Sequence, residues 1–455
     1  MAVCNSFSPA FYSTFEESEA DMSLRSLNDA LDESGSGSTP SGSSSLKTPA
    51  YSSTNPRSAA SIRTLGPRSP ADGRSSDTAS LRRATSSTSS PTVPSTTPTT
   101  KEGKEKLPRV PGSTLHKVKS SPRLPHDADA EPAPSTALYW SKAPVFGTIP
   151  VRIMRAHTVT LVDTTAWLFG GCDDKDCGKD VFCFDIETMQ WSRPEVIGDV
   201  PPPSRAHTAT AVDRKIVVYG GGQGSTYYDT VYVLDTVMRR WTKPIVAGAN
   251  PPPRRAHTAV LYKGKIWVFG GGNGMTALND VWTLDVSNTG KMRWDEVQTT
   301  GRKPSHRGYH SANLAGNIMI IVGGSDGKDC FNDMWCLNLD TLRWTKLIID
   351  KSYRRLSHTS TLVGSYLFII GGHDGTVYCK DVLLFNLITL SFEPRETLGK
   401  APSPRGYHVT LLADSRLFLF GGFNGITPFE EVLILDLAAA AYLPQVTHFD
   451  LHLPE

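Results

Sequence analysis

The amino-acid sequence predicts an all-β fold, a six-bladed β-propeller preceded by a long disordered N-terminal region. Three observations carry this reading. Glycine pairs begin at Gly170, Gly220, Gly270, Gly323, Gly371 and Gly421, and at one constant spacing before them stand His157, His207, His257, His310, His358 and His408. An Asp or Asn follows each pair, again at one constant spacing (Asp185, Asp235, Asp285, Asn338, Asn386, Asp436). A large aromatic comes next, in step in every copy except the third, where a short insertion precedes it (Trp191, Trp241, Trp294, Trp344, Phe392, Tyr442). Self-similarity at a period of about 50 residues marks an array of units, none of which can bury its apolar face alone.

Each element follows from the second copy, PPPSRAHTATAVDRKIVVYGGGQGSTYYDTVYVLDTVMRRW at 201–241. TATAV, KIVVYGG and TVYVLD are short β-branched or aromatic runs, followed by the segment around Trp241. The turn residues between them make these runs separate strands. Four strands form one twisted sheet, and radial stacking of six sheets leaves only short, protected edges. The glycine pair ends the second strand, where positive φ or close backbone approach excludes a Cβ. The tryptophan packs between neighbouring sheets. The Asp or Asn bonds the backbone ahead of it in the next turn. The histidine opens the inner strand and is expected to pack and hydrogen-bond inside its own blade.

The glycine pair, third strands of the NDVWTLD type and the spaced tryptophan resemble kelch repeats over residues 138–443. The resemblance implies one four-stranded blade per copy. The expected organisation is a disordered Ser/Thr/Pro-rich tail at 1–135, the propeller at 136–443 and a C-terminal extension at 444–455. The sixth copy departs from the pattern: LDLAAAAYLPQ replaces LDTVMRRW, and four alanines favour helix over a tight turn. ALYWSKAPVFG at 137–147 reads as an outer strand with no blade before it, and its Trp140 stands ahead of His157 at close to the Trp-to-His spacing of the next copies. This strand is expected to complete the last blade; closure by the segment of Tyr442 is the alternative.

The tail at 1–135 holds too few large apolar side chains to offset the entropy of ordering. Residues 1–35 carry seven acids and one Arg, whereas residues 57–123 carry 13 Lys or Arg and four acids. Leu24, Leu27 and Leu31 share one helical face, and Ser69, Thr85, Ser90 and Ser121 stand in basic or Pro-directed contexts open to phosphorylation. The N-terminus is expected to carry no secretory signal, and no apolar run reaches membrane-spanning length. Seven cysteines, an odd number, suit a reducing compartment. A cytoplasmic protein is expected, with the nucleus and weak membrane-surface contact through the basic tail left open. No nucleic-acid partner is expected.

Candidate chemistry is sparse, and no catalytic residue, metal or cofactor is expected. CDDKDCGKDVFC holds Cys172, Cys177 and Cys183, but Cys177 and Cys330, and likewise Cys183 and Cys336, are repeat-equivalent and so read as ordinary loop and strand occupants. Galactose oxidase and the nitrile-specifier proteins share kelch-like blades. The first is secreted, and the Glu-x-x-x-Asp-x-x-x-His iron motif of the second is absent, because none of the 12 histidines has Asp at the required place before it. The loops after the glycine pairs present Tyr227, Tyr228, Met275, Phe331, His373, Tyr378, Phe423 and Phe429, and exposed aromatics are common interface anchors. The interblade segments end in Arg155, Arg205, Arg254, Arg255, Arg307, Arg354, Arg355 and Arg405. The resemblance implies capture of an acidic peptide by such arginines. Asp180, Asp229, Asp280, Asp333, Asp381 and Glu431 recur once per copy and can pair them inside the fold. At the doubled sites one arginine is thus expected to be spare, with Arg255 and Arg355 as the ligand-facing members. The expected function is a non-enzymatic scaffold or adaptor, of the cell-polarity or signalling type. The alternative is an enzyme with a loop-built site.

Overall fold

The computed structural model describes residues 137–150, 154–173, 175–437 and 451. The expectations for the acidic and basic tail, its leucine face and its phosphorylation sites, and for Tyr442, lie outside these residues. Six antiparallel sheets are arranged as blades of one propeller. Blade 2 shows the plan. Thr208–Val212 is innermost, followed by Lys215–Tyr219, Val231–Asp235 and, outermost, Arg240–Thr242. The incoming segment Ile197–Gly198 adds a short parallel strand outside the last of these.

The sixth blade is composite. Val409–Ala413, Arg416–Phe420 and Val432–Asp436 come from the end of the repeat array. Its outer strand is Leu138–Lys142 from the beginning, with Tyr139 opposite Asp436 and Trp140 opposite Leu435. Trp140 is fully buried and takes the place that Trp191 and Trp241 hold in their blades. The N-terminal strand therefore completes the last blade, as the Trp140–His157 spacing suggested.

The apolar core lies between blades. Six clusters of buried residues each combine side chains of two neighbours, including Phe184 and Trp191 with Phe418 and Phe420 across the blade 1–blade 6 junction. Outer-strand tryptophans meet second-strand aromatics of the preceding blade: Trp241 lies 5.1 Å from Phe169, Trp294 4.7 Å from Tyr219 and Trp344 5.0 Å from Phe269. The Asx residue bonds the turn ahead in five copies, for example Asp235 Oδ1 accepting from the amides of Val237 and Met238.

Close approach explains the glycine pairs. A Cβ on Gly170 would lie 2.4 Å from the Ser204 carbonyl oxygen and 2.6 Å from His207 Cε1, both in the next blade. The second glycine of every pair donates its amide to that next blade, as Gly171 does to Ser204 and Gly422 to Met154. Nearer the axis, the residue before each histidine has positive φ, 52–56°, although none is glycine: Ala156, Ala206, Ala256, Tyr309, Ser357 and Tyr407. This conformation costs an ordinary residue about 1 kcal/mol. Here it turns each N–H toward the carbonyl of the same residue one blade back. The six bonds, 2.8–3.0 Å long, close a complete circle from Ala156 through Tyr407 and back to Ala156.

The histidines line the channel inside that circle, a cavity of about 130 Å³. Their hydrogen bonds correct the expectation of intrablade pairing. Nε2 of His207 bonds Thr158 Oγ1 of the preceding blade at 2.8 Å, and Thr208–His257, Thr258–His310, Ser311–His358 and Thr359–His408 repeat the contact. In the sixth junction Val409 occupies the hydroxyl position, and both ring nitrogens of His157 are buried without a partner.

Candidate ligand site at the channel mouth

Arginines reach the loop face in two adjacent registers, each aligned on the first glycine of its copy. The earlier register holds Met154, Ser204, Arg254, Arg307, Arg355 and Arg405. The position after it holds Arg155, Arg205, Arg255, Gly308, Leu356 and Gly406. Successive side chains of an extended segment point to opposite sides. The first set therefore enters the blade and the second turns toward the mouth.

The inward set is structural. Arg254 is completely buried, with both terminal nitrogens 2.8 Å from the Asp280 carboxylate and Nη1 also donating to the Gly270 carbonyl at 3.0 Å. Arg307 with Asp333, Arg355 with Asp381 and Arg405 with Glu431 repeat the pair. Burial disfavours the ionised forms of Asp280 and Asp333, yet the guanidiniums hold both carboxyls below their ordinary range. Phe331 and Phe429 cover Arg307 and Arg405 at 4.4 and 3.8 Å. Blades 1 and 2 lack the pair: Met154 and Ser204 replace the arginine, Asp180 bonds Arg193 at 2.8 Å, and Thr230 rather than Asp229 holds the acid's register.

Several expected ligand residues thus leave the surface set. Arg254, Arg307 and Arg355 are buried in their ion pairs. At 354–355 the solvent-exposed member is Arg354, not Arg355, because the glycine register, rather than the doubling, decides which side chain turns inward. Arg255 is not presented to solvent as expected either: it is buried, although it lines the mouth. Its guanidinium lies 3.9 Å over the Tyr227 ring, with Nη1 donating to the Gly224 carbonyl at 3.1 Å and Nη2 to Tyr227 Oη at 2.5 Å. Tyr228 packs in its own blade, Oη donating to the Pro203 carbonyl at 3.3 Å. His373 is buried edge-on to Tyr378, its Nδ1 accepting from the Gly375 amide at 3.0 Å. Phe423 is buried too and is a platform for Arg155, whose guanidinium carbon lies 3.7 Å above it.

The mouth is consequently lopsided. Arg155, Arg205 and Arg255, from three consecutive blades, line one side, and Tyr309 and Tyr407 line the other with rings perpendicular at 5.8 Å. Arg155 and Arg205 stand in the sequence as interblade arginines, but counting their distance from the glycine pair is the signal that singles them out. Among the described residues no group of three or more His, Cys, Asp or Glu is arranged to hold a metal ion, and no helix is long and apolar enough to cross a membrane.

A six-bladed ring of glycine-paired, Trp-anchored sheets with a shaped mouth at its axis defines the kelch class of propeller. The model of the KLHDC2/KLHL20/DRC7 Kelch-repeats domain matches residues 156–372 and 349–443, and the chain belongs to that family. Similar proteins include Kelch domain-containing protein 2 of Bos taurus, 36% identical over 63 residues, 14% of this chain and 16% of the relative. Acyl-CoA-binding domain-containing protein 4 of Arabidopsis thaliana is 38% identical over 56 residues, 12% of this chain and 8% of the relative. Host cell factor of Drosophila melanogaster is 31% identical over 75 residues, 14% of this chain and 5% of the relative. The chain thus spans a small fraction of the length of each of these relatives.

Proposed function

We propose that this chain is a non-enzymatic, intracellular protein-interaction module that captures an acidic segment of a partner protein at the channel mouth. The observation that carries the reading is the row Arg155, Arg205 and Arg255 on one wall, opposite two tyrosines. Guanidiniums pair carboxylates bidentately, and Phe423 and Tyr227 hold two of the three in fixed orientation, which lowers the ordering cost of binding. A scaffold or adaptor role in cell polarity or signalling fits a rigid ring that presents one such site.

The test uses a fluorescent peptide carrying three consecutive glutamates and its glutamine counterpart. The glutamate peptide should bind, and Arg205→Ala should weaken it about tenfold or more, in line with truncation of a charge-assisted interfacial pair. Raising salt from about 0.05 to about 0.5 M should weaken it further, since exposed charge attraction is screened. Equal binding of both peptides, or no effect of Arg205→Ala in a variant of unchanged melting temperature, would sink the proposal.

A further inference from the structure

The hairpin after the glycine pair of blade 1 carries two thiols in one slot. Cys172 and Cys177 face each other across an antiparallel bridge. The flanking bonds are Gly178 N–H to the Gly171 carbonyl, 2.8 Å, and Asp173 N–H to the Asp176 carbonyl, 3.0 Å. They make Cys172 and Cys177 a non-hydrogen-bonded pair, whose Cα atoms lie about 4.5 Å apart with side chains on the same face. A disulfide accepts Cα separations of about 4.4–6.8 Å, so this one can form without moving the backbone. The same slot holds Gly222 and Tyr227, Ser325 and Cys330, and His373 and Tyr378 in other blades, so blade 1 departs from those copies in having sulfur on both arms.

Cys172 is buried and Cys177 half-buried. Arg205 Nη1 lies 4.0 Å from Cys172 Sγ, on the arginine wall of the mouth. Pairing with the Cys177 thiol, with help from Arg205 and Arg155, lowers Cys172 against the opposing effect of burial, and the same pairing raises Cys177. Burial pushes Cys183, Cys330, Cys336 and Cys379 up instead.

We propose that Cys172 and Cys177 are a redox-active dithiol beside Arg205, oxidised by hydrogen peroxide to a disulfide within the hairpin. The Cys172 thiolate attacks one peroxide oxygen, the O–O bond breaks, and the departing hydroxide takes a proton to become water. The Cys177 sulfur then attacks the resulting sulfenic acid at Cys172. The S–S bond forms, the S–O bond breaks, and the Cys177 proton leaves with the hydroxyl as a second water. Two thiols lose two electrons in total and one peroxide gains them.

The experiment uses the full chain, reduced, freed of reductant, treated with hydrogen peroxide at pH 7, blocked with an alkylating agent and digested with trypsin unreduced. Trypsin cuts after Arg155, Lys175 and Lys179, so the disulfide joins peptide 156–175 to peptide 176–179. That linked pair should be the main disulfide found by mass spectrometry and should vanish on adding dithiothreitol. Cys177→Ser should accumulate a sulfenic acid on Cys172 that dimedone traps, whereas Cys172→Ser should leave Cys177 unlabelled. The wild-type peptide map is decisive whatever the variants do. If both thiols remain alkylatable after peroxide treatment, or if the disulfides recovered join other cysteines, the proposal is wrong.

Discussion

At the residue scale, one register position separates arginines sealed in ion pairs from arginines that line the mouth. Arg254 and Arg255 are neighbours, yet one is sealed against Asp280 and the other stacks on Tyr227 at the mouth. Arg254→Ala should destabilise by about 3–5 kcal/mol, because it leaves a largely buried carboxylate without its counter-ion. Arg205→Ala, at the half-buried wall, should change stability by about 1 kcal/mol or less. Urea unfolding of both variants checks this, and similar losses would show that the two registers are not distinct. The sixth junction offers a gain. Five histidines bond a Thr or Ser of the preceding blade, whereas His157 faces Val409. Val409→Thr should supply the missing partner and stabilise by about 0.5–1.5 kcal/mol, the net worth of one such bond. A destabilised variant would mean that the hydroxyl cannot reach the ring.

At the scale of elements, the strand Leu138–Lys142 carries the greatest burden for its length. It supplies the outer edge of blade 6 and places Trp140 in the junction cluster with Leu384, Leu417 and Leu435. A chain beginning at residue 136 should retain the cooperative melt of the full chain. A chain beginning at 143 should lose it, because blade 6 would expose the apolar face of Val432–Asp436. Trp140→Ala in the full chain should cost about 3–5 kcal/mol, as large-to-small changes at buried aromatic sites do. A truncation at 143 that melts like wild type would show that another segment closes the blade.

For the molecule as a whole, the circle of axial hydrogen bonds and the channel histidines tie all six blades to one pH-sensitive centre. Burial holds His157, His207, His358 and His408 down to about 3, so they stay neutral while folded. The unfolded chain protonates near 6.5 and therefore binds protons first as pH falls. Stability is thus fully present above 6.5 and is lost progressively toward 3, on the order of 1.4 kcal/mol per pH unit for each such group. Melting temperature should fall measurably between pH 6.5 and 5, before the depressed carboxyls Asp280 and Asp333 titrate. Scanning fluorimetry from pH 7.5 to 5 tests this; a flat profile would contradict neutral, buried rings in the native state.

Periodicity by itself determined the blade count, the strand order within each blade, the turn role of the Asx residues and the burial of the tryptophans. Each is set by spacing within one copy, where pleat and turn chemistry are local. The same spacing pointed to Trp140 as the closing aromatic. Only the tertiary structure decided that the histidines bond across junctions, that Arg155 and Arg205 join Arg255 while Arg254, Arg307 and Arg355 turn inward, and that Cys172 meets Cys177 beside the Arg205 guanidinium. Those contacts depend on how residues from successive repeats meet around the axis. They depend equally on a backbone twist, the positive φ of Ala156, Ala206 and their equivalents, that ordinary side chains at these positions do not announce.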